Sequence, residues 1–352
     1  MKILIVNPFG IGDVLFTTPI LNALAESGHS VYYWSNERVA DILKYNPKIK
    51  GVFSLARGDI KKIFKDSFFS GIKSLFSMLV KIKKEKFDVA FDFSLDYRYS
   101  LILWFLGVKK RIGFDYKNRG RFLTDAIKVK GFGGQHMVEY YNGLARFMGS
   151  SIKPDVNMEL FVGKDDVKQA EVFLQKCGVA AGDILLGIAP GGGGSWGKDA
   201  FRKRWPKEKF AYIAERLGKE ASYKIVIFGS KDESDICAYV NKNTSPKAID
   251  ACGKLTLGQY AAVLKRCRLL VTNDGGPLHM AVALEVPSVS IFGPVDEKVY
   301  GPYPESSKHA VISGEAKCRP CYKDFRYPLC KAFICFDSIE PERVLKTVKR
   351  FL

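Results

Sequence analysis

The stretch RLLVTNDGGPLHMAVALEVP, residues 268–287, decides the fold that the sequence predicts. It reads in order as a buried strand, a glycine turn and a helix, at positions 268–272, 274–276 and 277–285. A short apolar strand that runs through a turn into a helix is typical of a parallel sheet covered by helices. We therefore expect an α/β protein.

The same alternation continues outward from this stretch in both directions. Short apolar runs predict further strands at Ile3–Val6, Val31–Trp34, Phe87–Phe93, Ile184–Ala189, Lys224–Phe228 and Ser288–Phe292. Helical patterns fall between them, near residues 73–86, 207–219, 232–242 and 256–266. Two such series predict two Rossmann-like domains, residues 1–165 and 166–352, with the pattern breaking between residues 150 and 180.

Composition and charge limit the class of partner. The 352 residues are 47% hydrophobic and 26% charged, which is typical of a globular protein, and the formal net charge is +18. The basic excess is spread over both halves, so it favours an anionic partner such as nucleic acid, a membrane surface or a phosphorylated glycolipid. The sequence contains no recognised nucleic-acid motif, so nucleic acid is not an expected partner.

The first residues, MKILIV, are apolar but are soon interrupted by Pro8, Gly10 and Gly12, so they predict a strand and not a signal peptide. No uninterrupted apolar run reaches about 18 residues, the length that a membrane-spanning helix needs. We expect a cytoplasmic protein.

A glycine turn with a carboxylate follows the first strand, in the sequence NPFGIGD at residues 7–13. A nicotinamide cofactor is disfavoured because Leu15 stands where the dinucleotide fingerprint has its third glycine. Asp13 instead follows the carboxyl end of a strand, where open α/β sheets bind ligands. The alternative is that Asp13 only caps the local turn.

A second glycine-rich segment, APGGGGSWGKD at residues 189–199, nearly matches a phosphate-binding P-loop. Asp199 replaces the Ser or Thr that such a loop uses for magnesium, so we reject that interpretation. The loop still begins near Gly192 and carries Lys198, Arg202, Lys203 and Arg204, which suits a diphosphate. An ordinary surface loop with solvated charges is the alternative.

The turn after residue 273 combines three kinds of group at the start of one helix. Backbone N–H groups at Gly275 and Gly276, together with the helix dipole, suit a pyrophosphate without a metal ion. Asp274 can accept hydrogen bonds from sugar hydroxyls, and His279 follows about one turn into the helix. A lone helical histidine is more often structural, but this one shares its helix end with the acid and the glycines.

Four motifs together resemble glycosyltransferase family 9, the ADP-heptose:lipopolysaccharide heptosyltransferases. They are GDVLFTTPILNAL at 12–24, KRWP at 203–206, NDGGPLHMAVAL at 273–284 and IFGP at 291–294. The resemblance implies the GT-B architecture, two Rossmann-like domains with parallel sheets facing across a cleft. It implies inverting transfer of a heptose from ADP-heptose to a lipopolysaccharide inner-core acceptor, with no cofactor or metal required for chemistry.

The resemblance also implies roles for individual residues. Asp13 is expected to be the general base, Lys203 to contact the donor phosphates and Asp274 to position the donor sugar. The donor site as a whole is expected at Gly192, Lys203, Glu233, Asp274, Gly275, Gly276 and His279. One position departs from the family, since Gly275 stands where Thr or Ser is usual, which puts the donor's identity in question.

The acceptor is expected on the first domain, through the basic residues Arg57, Lys61, Arg111, Arg119 and Arg121. General surface basicity is the alternative. The basic, apolar stretch 61–86 suits either an anionic membrane or a helix packed on the sheet, and we favour the packed helix. An anionic glycolipid acceptor still implies peripheral contact with the inner membrane surface. The last helix is a candidate to pack back on the first domain.

Four of the eight cysteines lie close together in the sequence, at Cys318, Cys321, Cys330 and Cys335. A structural zinc site suits the first pair, but the spacing of the second pair leaves disulfides and free thiols equally open.

Two other functions remain open at this point. A sugar-nucleotide epimerase of the same architecture would convert the nucleotide sugar without an acceptor. A non-catalytic nucleotide- or glycan-binding relative would tolerate the loss of Asp13, and the presence of Asp13, Lys203 and Asp274 weighs against it.

Overall fold

The computed structural model describes residues 1–55, 68–194, 196–220, 222–323, 325–326, 330 and 332–352. The chain divides into two compact units, Met1–Phe161 and Val162–Leu352. Each unit is built on its own six-stranded sheet.

The sheet of the first unit contains strands β1 to β6, at Lys2–Asn7, Ser30–Asn36, Ile49–Leu55, Val89–Asp92, Lys110–Tyr116 and Asp125–Val129. Their order is β3-β2-β1-β4-β5-β6, and neighbouring strands pair in parallel. The helices α1 to α6 are Ile11–Phe16, Thr18–Glu26, Glu37–Leu43, Phe68–Glu85, Tyr97–Phe105 and Met137–Asn142, and a 3₁₀ helix follows at Gly143–Met148.

The sheet of the second unit contains strands β7 to β12, at Ile184–Ala189, Tyr223–Ile227, Ile249–Asp250, Cys267–Asn273, Ser288–Phe292 and His309–Ser313. Their order is β12-β11-β10-β7-β8-β9, again in parallel. The helices α7 to α14 are Lys164–Lys176, Lys207–Gly218, Ser234–Lys242, Leu257–Lys265, Gly276–Ala283, Glu297–Tyr300, Ile334–Asp337 and Pro341–Val348. Two 3₁₀ helices lie at Gly197–Lys203 and Lys231–Glu233.

Both sheets have the same strand order, which confirms the prediction of two Rossmann-like domains. In each sheet the chain starts in the middle, proceeds to one edge and then returns to build the other half. The direction changes between β1 and β4 in the first unit and between β7 and β10 in the second. Ligands of open α/β sheets bind at the carboxyl ends of the two strands that flank such a point, so the topology marks one candidate location in each unit.

The first unit's core explains the basic stretch before residue 86. Leu75, Met78, Leu79 and Ile82 of α4 pack with Trp34 and other apolar side chains of the sheet and of α5. Burying such a stripe stabilises the helix on the sheet. The favoured interpretation, a packed amphipathic helix, is confirmed for the described part of this stretch. None of the helices described here has the length and hydropathy of a membrane span.

The last helix, α14, packs on the second unit. Its buried side chains Val344, Leu345 and Val348 join the core around β7, β8, β10 and β11, and its neighbours are α8 and β11. Trp205, fully buried in the same core, donates its indole N–H to the Ile339 carbonyl at 3.2 Å and so fixes the segment that leads into α14.

Candidate functional site

Asp13 lies in the first turn of α1, just after β1. The fully buried Asn7, the last residue of β1, donates its side-chain N–H to the Asp13 backbone carbonyl at 2.9 Å and accepts from the Phe9 N–H at 3.1 Å. The Tyr141 hydroxyl donates to the Asp13 carboxylate at 3.4 Å. These contacts hold a partly exposed carboxylate at the switch point of the first sheet.

A hydroxyl pair lies beneath this turn. Thr17, at the end of α1, and Tyr33 of β2 are both buried, and their hydroxyls lie 2.7 Å apart. Burial raises the pKa of Tyr33, so its ring supports the turn as a neutral group. The turn that carries Asp13 is therefore anchored to β1 and to β2.

A second carboxylate, Asp92, lies at the carboxyl end of β4, the strand beside β1 on the other side of the switch point. Its side chain is buried and accepts the Ser94 N–H at 2.9 Å, and burial raises its pKa to about 6. A buried acid with a raised pKa at a ligand-binding edge is a functional candidate. Asp92 is not among the site residues predicted from the sequence, although a carboxylate at the end of a buried strand is a usable signal.

Replacing Asp92 with Asn is expected to remove one pH dependence of folding. The carboxyl has a pKa of 3.8 before folding and about 6 in the folded chain. The protonated carboxyl therefore contributes fully to the free energy of unfolding below about pH 4, and this contribution is lost as the pH rises through 6. Above pH 6 the variant should therefore be more stable than the wild type by up to about 3 kcal/mol. Denaturant unfolding of both proteins between pH 4 and 7.5 measures this difference, and parallel curves would contradict it.

In the second unit, Asn273 joins three of the four segments that carry the predicted donor residues. This fully buried residue ends β10, and its side chain donates to the Pro190 carbonyl at 2.7 Å while accepting the Trp205 N–H at 3.0 Å. It thereby ties the turn after β10 to the glycine-rich loop after β7 and to the basic segment before α8. The strands β7 and β10 flank the switch point of this sheet.

Lys203 and Asp274 form the ion pair at the centre of this location. The Lys203 ammonium lies 2.6 Å from the Asp274 carboxylate, and their side chains are only 13% and 4% exposed. The ammonium also lies 5.0 Å from the centre of the Trp196 ring, and the centre of that ring lies 4.6 Å from that of Tyr322, with the two planes tilted by 35°. A lysine has three N–H donors, so this arrangement orients the charge and leaves donors for an anionic ligand.

Glu233 faces the glycine-rich loop. One carboxylate oxygen accepts the Gly193 N–H at 2.8 Å, and the other accepts the N–H and hydroxyl of Ser230, each at 2.8 Å. The Arg204 side chain donates to the Gly191 carbonyl at 2.9 Å and lies 3.7 Å from Glu233. Both side chains therefore shape the loop, and the expected contact of Glu233 with a ribose stays a prediction.

The other basic residues near Lys203 are used within the protein. Arg202 pairs with Asp199 at 3.2 Å and donates to the Cys330 carbonyl at 3.1 Å. Of the three neighbouring basic residues at 202–204, Lys203 is the one that pairs with Asp274, in the turn after β10.

Gly275 is required by the approach of the glycine-rich loop. Its φ is +154°, and a Cβ added there would lie 1.7 Å from the Gly192 carbonyl oxygen. The resemblance to glycosyltransferase family 9 leads us to expect Thr or Ser at position 275, but either side chain would collide with the glycine-rich loop in this arrangement. The glycine departure is thus explained by packing between Gly192 and Gly275, two residues that the sequence analysis placed in the donor site.

Gly275→Ser is expected to displace the glycine-rich loop. Holding a side chain in a disfavoured backbone region costs about 1–3 kcal/mol, and the clash adds to that cost. We expect a lower melting temperature and at least about tenfold weaker nucleotide binding, measured by calorimetry, which corresponds to about 1.4 kcal/mol. Gly194→Ala is the matched control because its added Cβ meets nothing within 4 Å. Equal binding by Gly275→Ser and the wild type would contradict the packing argument.

The helix α11 starts at Gly276, directly after the Lys203–Asp274 pair. His279 is buried in its second turn, and its N–H is bonded back to the Gly275 carbonyl at 3.4 Å. Pro277 has no N–H, and the backbone N–H groups of Leu278 and His279 are bonded to the Gly275 carbonyl. The backbone N–H groups of Gly275 and Gly276 are therefore the ones at this turn that we predict to bind an anion.

A groove of about 320 Å³ opens beside this location, at the carboxyl side of β8. Its lining mixes charged and apolar side chains: Arg204, Trp205, Pro206, Lys207, Asp232, Glu233, Asp235 and Ile236. Arg204 and Glu233 therefore contact both the glycine-rich loop and the groove.

The predicted acceptor residues differ in their surroundings. The Arg111 guanidinium donates to the backbone carbonyls of Phe122, Val108 and Lys109, so it ties the segment after β5 to the turn between α5 and β5. Arg119 and Arg121 are exposed on that segment. Arg57 and Lys61 lie outside the described residues.

The eight cysteines are free thiols in the structure. Burial raises the pKa of Cys335 to about 11, so that thiol is protonated at neutral pH. Within the described residues, no group of three or more His, Cys, Asp or Glu side chains is arranged to hold a metal ion. Zinc binding by Cys318, Cys321, Cys330 and Cys335 stays an open alternative to disulfides and free thiols, and metal analysis of the purified protein would decide it.

The chain is similar to known proteins in sequence and in fold. Residues 75–327 match the family described as glycosyltransferase family 9 (heptosyltransferase). A lipooligosaccharide heptosyltransferase 2 from Campylobacter jejuni is 25% identical, over 99% of this chain and 99% of that protein. A solved family 9 glycosyltransferase from Veillonella parvula, 25% identical, aligns with a TM-score of 0.80 over 99% of this chain and 96% of that chain. The E. coli ADP-heptose lps heptosyltransferase II, 21% identical, aligns with a TM-score of 0.77 over 100% and 98% of the two chains, which is a likeness of fold.

Proposed function

Because the chain belongs to glycosyltransferase family 9, we propose that it transfers a heptose, or a similar sugar, from ADP-heptose to the inner core of a lipopolysaccharide-type acceptor. The names of the relatives support both the sugar and the acceptor, since they are heptosyltransferases of lipopolysaccharide or lipooligosaccharide. The observation that carries the proposal is the buried Lys203–Asp274 pair beside the N-terminus of α11.

The donor end of the reaction needs positive charge where the diphosphate leaves. Lys203 and the backbone N–H groups at the start of α11 supply it, since fixed donors stabilise charge that develops in the transition state. Asp274 orients Lys203 in the free enzyme. When the donor sugar binds, the Asp274 carboxylate accepts hydrogen bonds from the hydroxyls of the sugar. The adjoining groove takes the nucleoside.

The acceptor end needs one base. Asp13 takes the proton from the acceptor hydroxyl while the oxygen of that hydroxyl bonds to the anomeric carbon of the donor sugar. The bond between that carbon and the diphosphate breaks at the same time, and ADP leaves with the electron pair. Attack from the face opposite the leaving group inverts the configuration, and this scheme requires no metal ion.

The acceptor is an anionic glycolipid, and Arg119 and Arg121 are the described residues that we assign to its phosphate or carboxylate groups. A lipid-anchored acceptor places the enzyme at the cytoplasmic face of the inner membrane as a peripheral protein.

An ADP-release assay with a panel of nucleotide sugars and truncated lipopolysaccharide acceptors tests the proposed function. We expect ADP release from ADP-heptose only when an acceptor is present. Turnover with a UDP-sugar and none with ADP-heptose would show that the donor is wrong. Conversion of the nucleotide sugar without an acceptor would show the epimerase instead.

A further inference from the structure

The first unit carries a cluster of exposed aromatic side chains at the C-terminal end of α5. Trp104 is 52% exposed and Phe105 is 68% exposed, and their rings lie 4.8 Å apart. Phe122, on the segment between β5 and β6, lies 6.4 Å from Trp104 and 6.4 Å from Tyr97. We refer to Tyr97, Trp104, Phe105 and Phe122 as the aromatic patch.

The aromatic patch is the outward face of a helix that is otherwise anchored. Ser100 and Leu103 of α5 are buried, and Leu103 belongs to the core beneath α4 and α5. Arg111 of β5 donates to the Phe122 carbonyl at 2.6 Å and to the Lys109 carbonyl at 3.1 Å, so the segment that carries Phe122 is tied to the turn that follows α5. Two adjacent large aromatic side chains in water are costly, and exposed apolar clusters with a polar rim mark interaction surfaces.

The rim of the aromatic patch is basic. The Arg121 guanidinium lies 4.3 Å from the centre of the Tyr97 ring and 5.1 Å from that of Phe122. Lys109 follows the end of α5 and is exposed, whereas Arg98 at the other end is already paired with the Asp96 carboxylate at 2.5 Å. Cationic side chains around tryptophan and tyrosine match the boundary of an anionic bilayer, where amphipathic rings lie at headgroup level and lysine and arginine contact lipid phosphates.

From this combination we propose that the aromatic patch docks the first unit on the anionic surface of a membrane, with Trp104 and Phe105 inserted among the lipid headgroups. The net charge of +18 favours the same partner through long-range attraction. This inference rests on the proposed function in one respect: the acceptor of the proposed reaction is anchored in the membrane on which the protein docks.

The position of the aromatic patch fits delivery of such an acceptor. The helix α5 begins at Tyr97, shortly after Asp92 ends β4 at the carboxyl edge of the first sheet. Its nine residues span about 13 Å, at about 1.5 Å for each residue. One end of the aromatic patch therefore adjoins the edge that carries Asp13, and the inserted end lies further from it, so a sugar can reach the edge while its lipid stays in the bilayer.

Co-sedimentation with vesicles tests the docking without any turnover. We expect the wild type to bind vesicles of phosphatidylglycerol and phosphatidylcholine, to bind pure phosphatidylcholine far less, and to lose binding as the salt concentration rises. Trp104→Ser/Phe105→Ser should bind the anionic vesicles at least about tenfold more weakly, because it removes two large apolar side chains from the contact. Phe76→Ser, at a side chain of α4 that is 67% exposed, is the matched control and should bind as the wild type does.

Activity separates this inference from the proposed function. The double variant should transfer sugar normally to a delipidated acceptor saccharide and more slowly to an acceptor embedded in vesicles. Vesicle binding with no transfer to any acceptor would leave the docking standing and remove the proposed function. Equal vesicle binding by the double variant and the wild type, or an equal loss in Phe76→Ser, would overturn the docking.

Two further measurements test the insertion of Trp104 and the oligomeric state of the chain. Trp104→Phe should fold and bind vesicles while losing the blue shift in tryptophan emission that insertion of Trp104 causes. Size-exclusion chromatography tests whether the aromatic patch joins two copies of the chain. A dimer that Trp104→Ser/Phe105→Ser converts to a monomer, with vesicle binding unchanged, would assign the surface to self-association and overturn the docking.

Discussion

Asp13→Asn is expected to lower kcat by about 10²–10⁴-fold, the usual contribution of a positioned general base. Asn has the same shape as Asp and still accepts the Tyr141 hydroxyl, but it cannot take the proton of the acceptor hydroxyl. The backbone carbonyl of residue 13 keeps its bond from Asn7, so the turn after β1 should be retained. ADP release with a saturating donor and acceptor measures the effect.

Three controls define what the Asp13 result means. ADP affinity, measured by calorimetry, should match the wild type, since the residues assigned to the donor belong to the second unit. Tyr141→Phe removes the 3.4 Å hydrogen bond but keeps the Asp13 carboxylate. We expect its kcat to fall less than about tenfold, because one hydrogen bond contributes only a small net free energy. Turnover of Asp13→Asn within about threefold of the wild type would exclude residue 13 as the base.

The sequence predicted most of the inner strands of the two sheets and none of their four edge strands. The predicted strands correspond to β1, β2, β4, β7, β8, β10 and β11, which are the buried inner strands and read as apolar runs. The missed strands are β3, β6, β9 and β12, which are the four sheet edges, and β5. The strand β6 shows why, because its residues alternate between partly buried and exposed and its sequence is mixed in polarity. Half-solvated strands lack the signal on which apolar-run prediction depends.

The sequence indicated which residues to assign to the candidate site, but not the contacts between them. The motifs identified Lys203, Asp274 and Gly275, but no pattern in the sequence indicated that Lys203 and Asp274 pair at 2.6 Å or that Gly192 excludes a side chain at Gly275. The basic run 109–121 looked uniform in sequence. In the structure Arg111 is bound to backbone carbonyls, whereas Arg121 lies against aromatic rings. Such differences depend on tertiary contacts between segments that are distant in the chain.

Lys203→Met is expected to impair both stability and transfer, because the lysine neutralises a buried acid and is also assigned to the donor phosphates. Removing it leaves the Asp274 carboxylate, which is 4% exposed, without its ion pair. Breaking a buried pair in this way costs about 3–5 kcal/mol in the free energy of unfolding. Removing one fixed donor from a developing negative charge lowers kcat by about 10²–10³-fold.

The double variant Lys203→Met/Asp274→Asn separates these two effects, since it removes the uncompensated charge along with the lysine. The free energy of unfolding of the double variant should lie much closer to that of the wild type than that of Lys203→Met does. The difference between the two variants reports the coupling between the two side chains. The kcat of the double variant should stay as low as that of Lys203→Met or lower, because the positive charge beside the start of α11 is still missing. Recovered transfer in the double variant would mean that Lys203 serves only to neutralise Asp274. A double variant as unstable as Lys203→Met would mean that the uncompensated charge of Asp274 is not the source of the instability.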